Sequence, residues 1–174
     1  RPFFGSTQLL NISRIREEEY ILFIKEKFSS STMKIQDIEI KLILNWTRSH
    51  TFYVQMVCNR LFALLLNVVK EDDVKNVFAG ILQENEAAYF NYKNILPENQ
   101  WRLLSAIAKE GSVSSPTSNS FIHRHGLGSS SAVLKSVKAL LDKEFIYQEL
   151  VDNRKALAVY DVFFSRWLEK LKMG

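Results

Sequence analysis

Leu96-Pro97-Glu98-Asn99-Gln100-Trp101-Arg102-Leu103-Leu104-Ser105-Ala106-Ile107-Ala108-Lys109-Glu110-Gly111 opens the stretch, continuing to Trp167, whose reading decides the fold. Proline is tolerated in the first turn of a helix, because the donor it lacks would have no partner there. From Pro97 onward Trp101, Leu104, Ile107 and Ala108 recur at helical spacing until Gly111 stops the run. Phe121 and Ile122 mark a short second helix before Gly126, with Thr117 or Ser118 as its cap. A third helix starts from the Ser129-Ser130-Ser131 cap. It turns Val133, Leu134, Val137, Leu140 and Leu141 inward and leaves Ser130, Ser131, Lys135, Ser136 and Lys138 facing out. Phe145 to Leu150 and Ala156 to Tyr160 are strand-like and are joined by Val151-Asp152-Asn153-Arg154-Lys155, with a further short strand at Val113. Asp161 then caps a last helix that buries Phe163, Phe164, Trp167 and Leu168.

Helix, turn, helix, hairpin, helix is the order of a winged helix-turn-helix unit. Its edge falls at Pro97, since the residue before a proline is pushed out of helical geometry. Upstream the sequence predicts four helices. The first starts near Ser13, with Glu17, Glu18 and Glu19 in its early turns, and buries Tyr20, Ile24 and Phe28. The second covers Gln36 to Thr47 with Ile35, Ile38, Leu42 and Trp46 along one face. The third covers Phe52 to Val69 with Val57, Leu61, Leu64, Leu65 and Val68 on one side, and the fourth runs from Glu71 through Tyr92. The fold class expected is therefore mainly α: a four-helix bundle followed by a winged helix-turn-helix domain with a small β-hairpin wing. Residues 1–12 form a connecting arm, 13–96 the helical domain and 97–174 the winged helix.

The totals agree with packed domains. Apolar residues make up 47% of the 174, enough for sizeable cores. The richest apolar stretch, Phe52 to Val69, is interrupted by Gln55, Asn59, Arg60 and Asn67, which makes it a buried helix and not a membrane span. The single cysteine, Cys58, sits among apolar neighbours and reads as an inert thiol of a cytoplasmic protein. The chain begins at Arg1 with no initiating Met and no leader, as expected of a piece of a longer protein. Residues 1–96 hold 12 basic against 11 acidic side chains and residues 97–174 hold 11 against 8, so the positive charge tilts towards the winged-helix end.

No catalytic constellation emerges. The glycine-dense Gly126-Leu127-Gly128-Ser129 lacks the lysine and the preceding strand of a phosphate loop. His123 and His125 are two apart, hence on different sides of a helix, and no cysteine lies near them, which argues against a zinc set. No serine lies in a nucleophile elbow. The carboxylate runs Glu17-Glu18-Glu19 and Glu71-Asp72-Asp73 stand at helix starts, where the dipole favours them. The residues present are those of a non-enzyme, with no metal and no cofactor of their own.

Arg1-Pro2-Phe3-Phe4-Gly5, Ser49-His50-Thr51-Phe52-Tyr53-Val54-Gln55 and Trp101-Arg102-Leu103-Leu104-Ser105-Ala106-Ile107-Ala108, in that order, resemble the C-terminal portion of archaeal-type prokaryotic ATPases. These are AAA+/STAND proteins related to origin-recognition ATPases. Leu140-Leu141-Asp142-Lys143-Glu144-Phe145-Ile146 and Val159-Tyr160-Asp161-Val162-Phe163-Phe164-Ser165-Arg166-Trp167-Leu168 are similar to the winged helix that closes them. The resemblance implies that the four upstream helices are the lid of a P-loop domain in cis, where ATP and Mg would bind. It also implies nucleotide-proximal roles for Arg48 and His50, which stand where the family has a Gly-His-Pro-like turn, here Ser49-His50-Thr51. The residues themselves allow a plainer reading, in which Ser49 or Thr51 caps the third helix and His50 packs at the surface.

Two uses of the winged helix remain open. Ser130, Ser131, Lys135 and Lys138, extended by Arg124 on the second helix and by Arg154 and Lys155 on the wing, suit phosphates, so one partner is DNA gripped with little base specificity. The face lacks the Arg, Asn or Gln that pair bidentately with purine edges. The other use is a regulatory, protein-interaction arm coupled to the nucleotide state of the ATPase domain.

Overall fold

A computed structural model of the chain describes residues 15–151 and 154–171; the connecting arm expected at 1–12 lies outside them. Two compact units divide at Val74/Lys75.

The first unit holds α1 (Glu17–Ser30), α2 (Asp37–Trp46), α3 (Thr51–Ala63) and the opening residues of α4 (Glu71–Ile95). Glu17, Glu18 and Glu19 occupy the positive end of the α1 dipole, and Tyr20, Ile21, Ile24 and Phe28 form its buried stripe. Phe28 stacks on Phe62 of α3 at 4.2 Å between ring centres. In α2 a capping box sets the winding: Gln36 N donates to Glu39 Oε2 at 3.2 Å. The helix then buries Ile40, Ile43 and Leu44 and leaves Ile38 62% exposed, with Leu42 and Trp46 half-buried. The stripe expected through Ile38, Leu42 and Trp46 is thus the wrong one of two. The competing stripe includes Thr47, whose hydroxyl is fully buried because it donates to Ile43 O at 2.7 Å.

α3 ends earlier than its apolar run. Leu64 is its C-cap, Leu65 turns left-handed at φ +51 and is 86% exposed, and Val68 is largely exposed. The cause is non-local. Lys34 pairs with Val68 in a parallel bridge, through Lys34 N to Asn67 O at 3.0 Å and Val69 N to Lys34 O at 2.8 Å, so extended backbone displaces the last expected turns and only Val69 goes inward.

The second unit continues from Lys75 along α4 and adds α5 (Glu98–Glu110), α6 (Asn119–His125), α7 (Ser130–Asp142), β1 (Ile146–Val151), β2 (Arg154–Val159) and α8 (Val162–Lys170). Its helices start and stop where the residue chemistry dictates. Pro97 precedes α5 and Gly111 ends it at φ +75. Ser118 Oγ accepts from Phe121 N at 3.4 Å, Ser129 Oγ from Ala132 N at 3.3 Å, and Asp161 Oδ1 from Phe163 N and Phe164 N at 2.8 and 3.1 Å. α5 is the centre, with Trp101 and the run from Leu103 to Ala108 buried and with α7, α8 and β2 packed on it.

β1 and β2 pair antiparallel from Ile146↔Val159 to Val151↔Arg154, so Val151, Arg154 and Lys155, expected in the connection, belong to the strands. Val113 bridges Leu157 through two 2.9 Å hydrogen bonds, the short strand expected there. The last turns of α4 join the same core. Tyr89 lies 5.0 Å from Phe164 and 5.4 Å from Trp167, and Tyr92 lies 5.2 Å from Phe145. α7 differs from expectation in one respect: Val133, Ser136 and Leu140 face inward and Leu134 faces out. Ser136 is tolerated inside because Asn99 Nδ2 donates to its hydroxyl at 3.2 Å.

Candidate functional site

The outer face of α7 carries Ser130, Ser131, Leu134, Lys135 and Lys138, all exposed. The spacing of these positions puts them on one side of a helix. Two of the hydroxyls already have local work. Ser130 Oγ donates to Thr117 O at 3.4 Å, and Ser131 Oγ lies 3.0 Å from the capping Ser129 Oγ. Leu134, 58% exposed, stands in the middle of the face, next in sequence to Lys135 and one helical turn before Lys138, both exposed. On the hairpin, Arg154 and Lys155 are exposed, and Leu150 and Val151 are exposed on the paired strand. Both faces therefore mix cations with bare aliphatic surface.

Residues 87–170 match the family model described as "Probable winged helix domain", a little under half of the chain. That stretch is a winged helix. Its start at residue 87 takes in the last turns of α4, the same turns that contribute Tyr89 and Tyr92 to the core. No curated protein and no solved structure matched the chain.

Arg124, expected to extend a phosphate-contacting surface of the winged helix, is tied to α5. Its Nη1 donates to Glu110 Oε1 at 2.6 Å, and His125 Nε2 lies 2.9 Å from the same oxygen. The hydrogen bonds from His125 and Arg124 hold the Glu110 carboxyl below its ordinary value near 4.5. A lowered carboxyl favours the folded state in its charged form, so this contribution is complete above pH ~4.5 and is lost as pH falls through the folded-state value. Glu110→Gln should therefore flatten the acid limb of a stability–pH curve measured by thermal melting. A limb as steep as that of the wild type would show that the cluster does not couple to folding. At neutral pH the loss should stay within about 1 kcal/mol, because the ion pair is exposed.

Arg48 and His50 lie in the first unit. Arg48 and Ser49 both adopt left-handed backbone, at φ +53 and +54, in the turn between α2 and α3. His50 occupies the N-cap position of α3 without a side-chain capping bond, is exposed, and sets its ring edge-on to Tyr53 at 5.1 Å. Neither Ser49 nor Thr51 is the cap, contrary to the plainer expectation. The turn is closed by backbone instead, with Ser49 N donating to Leu44 O at 2.7 Å and Val54 N to His50 O at 3.0 Å. The surface position expected for His50 holds.

Among the described residues no group of three His, Cys, Asp or Glu side chains could hold a metal ion, and no helix is long and apolar enough to cross a membrane. Burial pushes the Cys58 thiol up to about 12, so it stays protonated at neutral pH. The feature that sequence reasoning missed is Leu134. Winding the helix from the Ser129 cap with Val133 inward places position 136, not 134, on the buried side, but a serine there gave no hydrophobic signal.

Proposed function

We propose that the winged helix is a regulatory arm that docks on protein and is not itself catalytic. The observation carrying this reading is the exposed Leu134 at the centre of the α7 outer face. A leucine pressed against phosphates gains nothing, whereas burying it against protein contributes ~1.5–3 kcal/mol. Its neighbours Lys135 and Lys138 would then meet acidic groups around an apolar contact, the usual anatomy of a protein interface. The finer form of the proposal is that the arm answers to the nucleotide state of a P-loop ATPase domain in cis, where ATP and Mg would be held. Support for this form is the resemblance of residues 1–5, 49–55 and 101–108 to origin-recognition-related ATPases, in which Arg48 and His50 would lie towards the nucleotide.

The second reading, DNA held through phosphates, is favoured by the net charge of +3 on residues 97–174 and by the exposed Lys135, Lys138, Arg154 and Lys155. A salt titration against duplex DNA decides between them. The docking reading expects negligible affinity at low salt and no change on replacing those four residues by alanine. Tight binding whose salt slope drops by roughly 0.9 for each cation removed would install the DNA reading in its place.

A further inference from the structure

The wing has one open edge, and backbone pairing shows which residues present it. Val113 exchanges two hydrogen bonds with Leu157 on the far side of β2, so Leu157 points its backbone groups away from β1. The alternation of a strand assigns the rest. Tyr147, Glu149 and Val151 turn their N–H and C=O groups to β2, opposite Ala158, Ala156 and Arg154, and Tyr160 N donates to Phe145 O at 3.0 Å in the same sense. Ile146, Gln148 and Leu150 turn theirs outward, and among the described residues no third strand or other backbone group pairs with them. Such edges are ordinarily blunted by lysine, proline, a bulge or a covering element. Ile146-Tyr147-Gln148-Glu149-Leu150-Val151 holds neither Lys nor Pro, pairs with β2 one-to-one without a bulge, and leaves Leu150 73% exposed.

The strand is complementary to itself in one register. An antiparallel neighbour must match outward residues with outward residues. A two-fold axis at Gln148 does this along the whole edge: Ile146 faces Leu150 of the second copy, Gln148 faces its own equivalent, and Leu150 faces Ile146 of the second copy. Tyr147 then lies opposite Glu149 of the second copy on both sides of the axis, which repeats between strands the phenol-to-carboxylate hydrogen bond made within one strand at 3.0 Å. An axis at Glu149 would set two carboxylates directly against each other, which is destabilising. An axis at Tyr147 would run Leu150 past the start of β1 onto Glu144.

We propose that the chain pairs with a second copy of itself through β1, giving a continuous sheet of order β2-β1-β1-β2 about an axis at Gln148. The pairing is isologous and closes at two copies. Leu150 passes from solvent to the side of Ile146, a core residue of the other copy. The inference is independent of what the outer face of α7 docks on.

Sedimentation velocity of the full chain, from micromolar to submillimolar concentration, is expected to show a monomer–dimer equilibrium. Gln148→Pro removes an outward donor without touching the β1–β2 ladder, and Leu150→Lys places a charge at the apolar contact, so each should weaken the dimer by about tenfold or more. Circular dichroism checks that both variants are folded; should Gln148→Pro not be, Leu150→Lys at its exposed position carries the test. The register is read by crosslinking. Gln148→Cys brings two equivalent Cα atoms to about 5.5 Å, within disulfide reach, and should form a covalent dimer under mild oxidation. Leu150→Cys should not, because its equivalents lie about 13 Å apart along the strands. The wild type, with Cys58 alone, supplies the blank. A chain that stays monomeric throughout, a dimer unchanged in folded Gln148→Pro or in Leu150→Lys, or a crosslink at position 150 and not at 148 each overturns the proposal.

Discussion

Phe164→Ala should destabilise the winged helix by about 3–5 kcal/mol, the cost of deleting a large aromatic from a packed core. The ring is 1% exposed and lies 5.0 Å from Tyr89, 5.3 Å from Tyr92, 6.1 Å from both Trp101 and Trp167, and 6.3 Å from Phe145. Those partners come from α4, α5, α8 and the turn before β1, so one deletion loosens four segments at once. Against a total stability of about 5–15 kcal/mol for a domain, the loss is a large fraction. Guanidinium unfolding followed by Trp101 and Trp167 fluorescence measures it. Phe164→Leu, which keeps more of the volume, should cost appreciably less. A loss under about 1 kcal/mol for the alanine variant would mean that the aromatic cluster does not hold the unit together.

Leu134→Lys should leave the fold nearly untouched, within about 0.5 kcal/mol, as an exposed position allows. It should nevertheless weaken docking on a protein by tenfold or more, since an apolar anchor becomes a cation that must be desolvated. On duplex DNA the same change has the opposite sign, because one more cation adds a phosphate contact and steepens the salt slope by roughly 0.9. Measuring the variant against the P-loop ATPase domain proposed as its partner, supplied in trans, and against duplex DNA therefore gives two outcomes of opposite direction. Unchanged binding to the ATPase domain would remove Leu134 from the interface and with it the observation on which the docking reading rests.

The second unit was legible in the sequence because its boundaries are written in residues with unambiguous backbone chemistry. Pro97, Gly111, Ser118, Ser129 and Asp161 each stand where they were expected to start or stop a helix. The first unit lacks such punctuation. Thr32, Arg48, Ser49 and Leu65 adopt left-handed backbone there; the first three fall where the sequence ends a helix or turns, but Leu65 does not announce a turn. Leu65 in particular continues an apolar run that helical periodicity extends to Val69, while the pairing that ends the helix comes from Lys34, far away in the chain. Ties between distant residues were equally hidden at the candidate site. The pairing of Arg124 with Glu110 spans 14 positions and that of Asn99 with Ser136 spans 37, so neither the restraint on Arg124 nor the partner that lets a serine turn inward at position 136 follows from local pattern. The apolar stripe of Tyr20, Ile24 and Phe28 was visible, but not that α3 leaves space beside it.

Glu110 Oε1 serves two donors from adjacent residues of α6, and they differ in access. The Arg124 side chain is 61% exposed and that of His125 only 8%. The arrangement is a duplicated fastening with one removable member. Removing the Arg124 bond leaves the His125 bond to the same oxygen in place at the corner between α5 and α6. The exposed guanidinium is thus the member whose loss leaves the framework fastened.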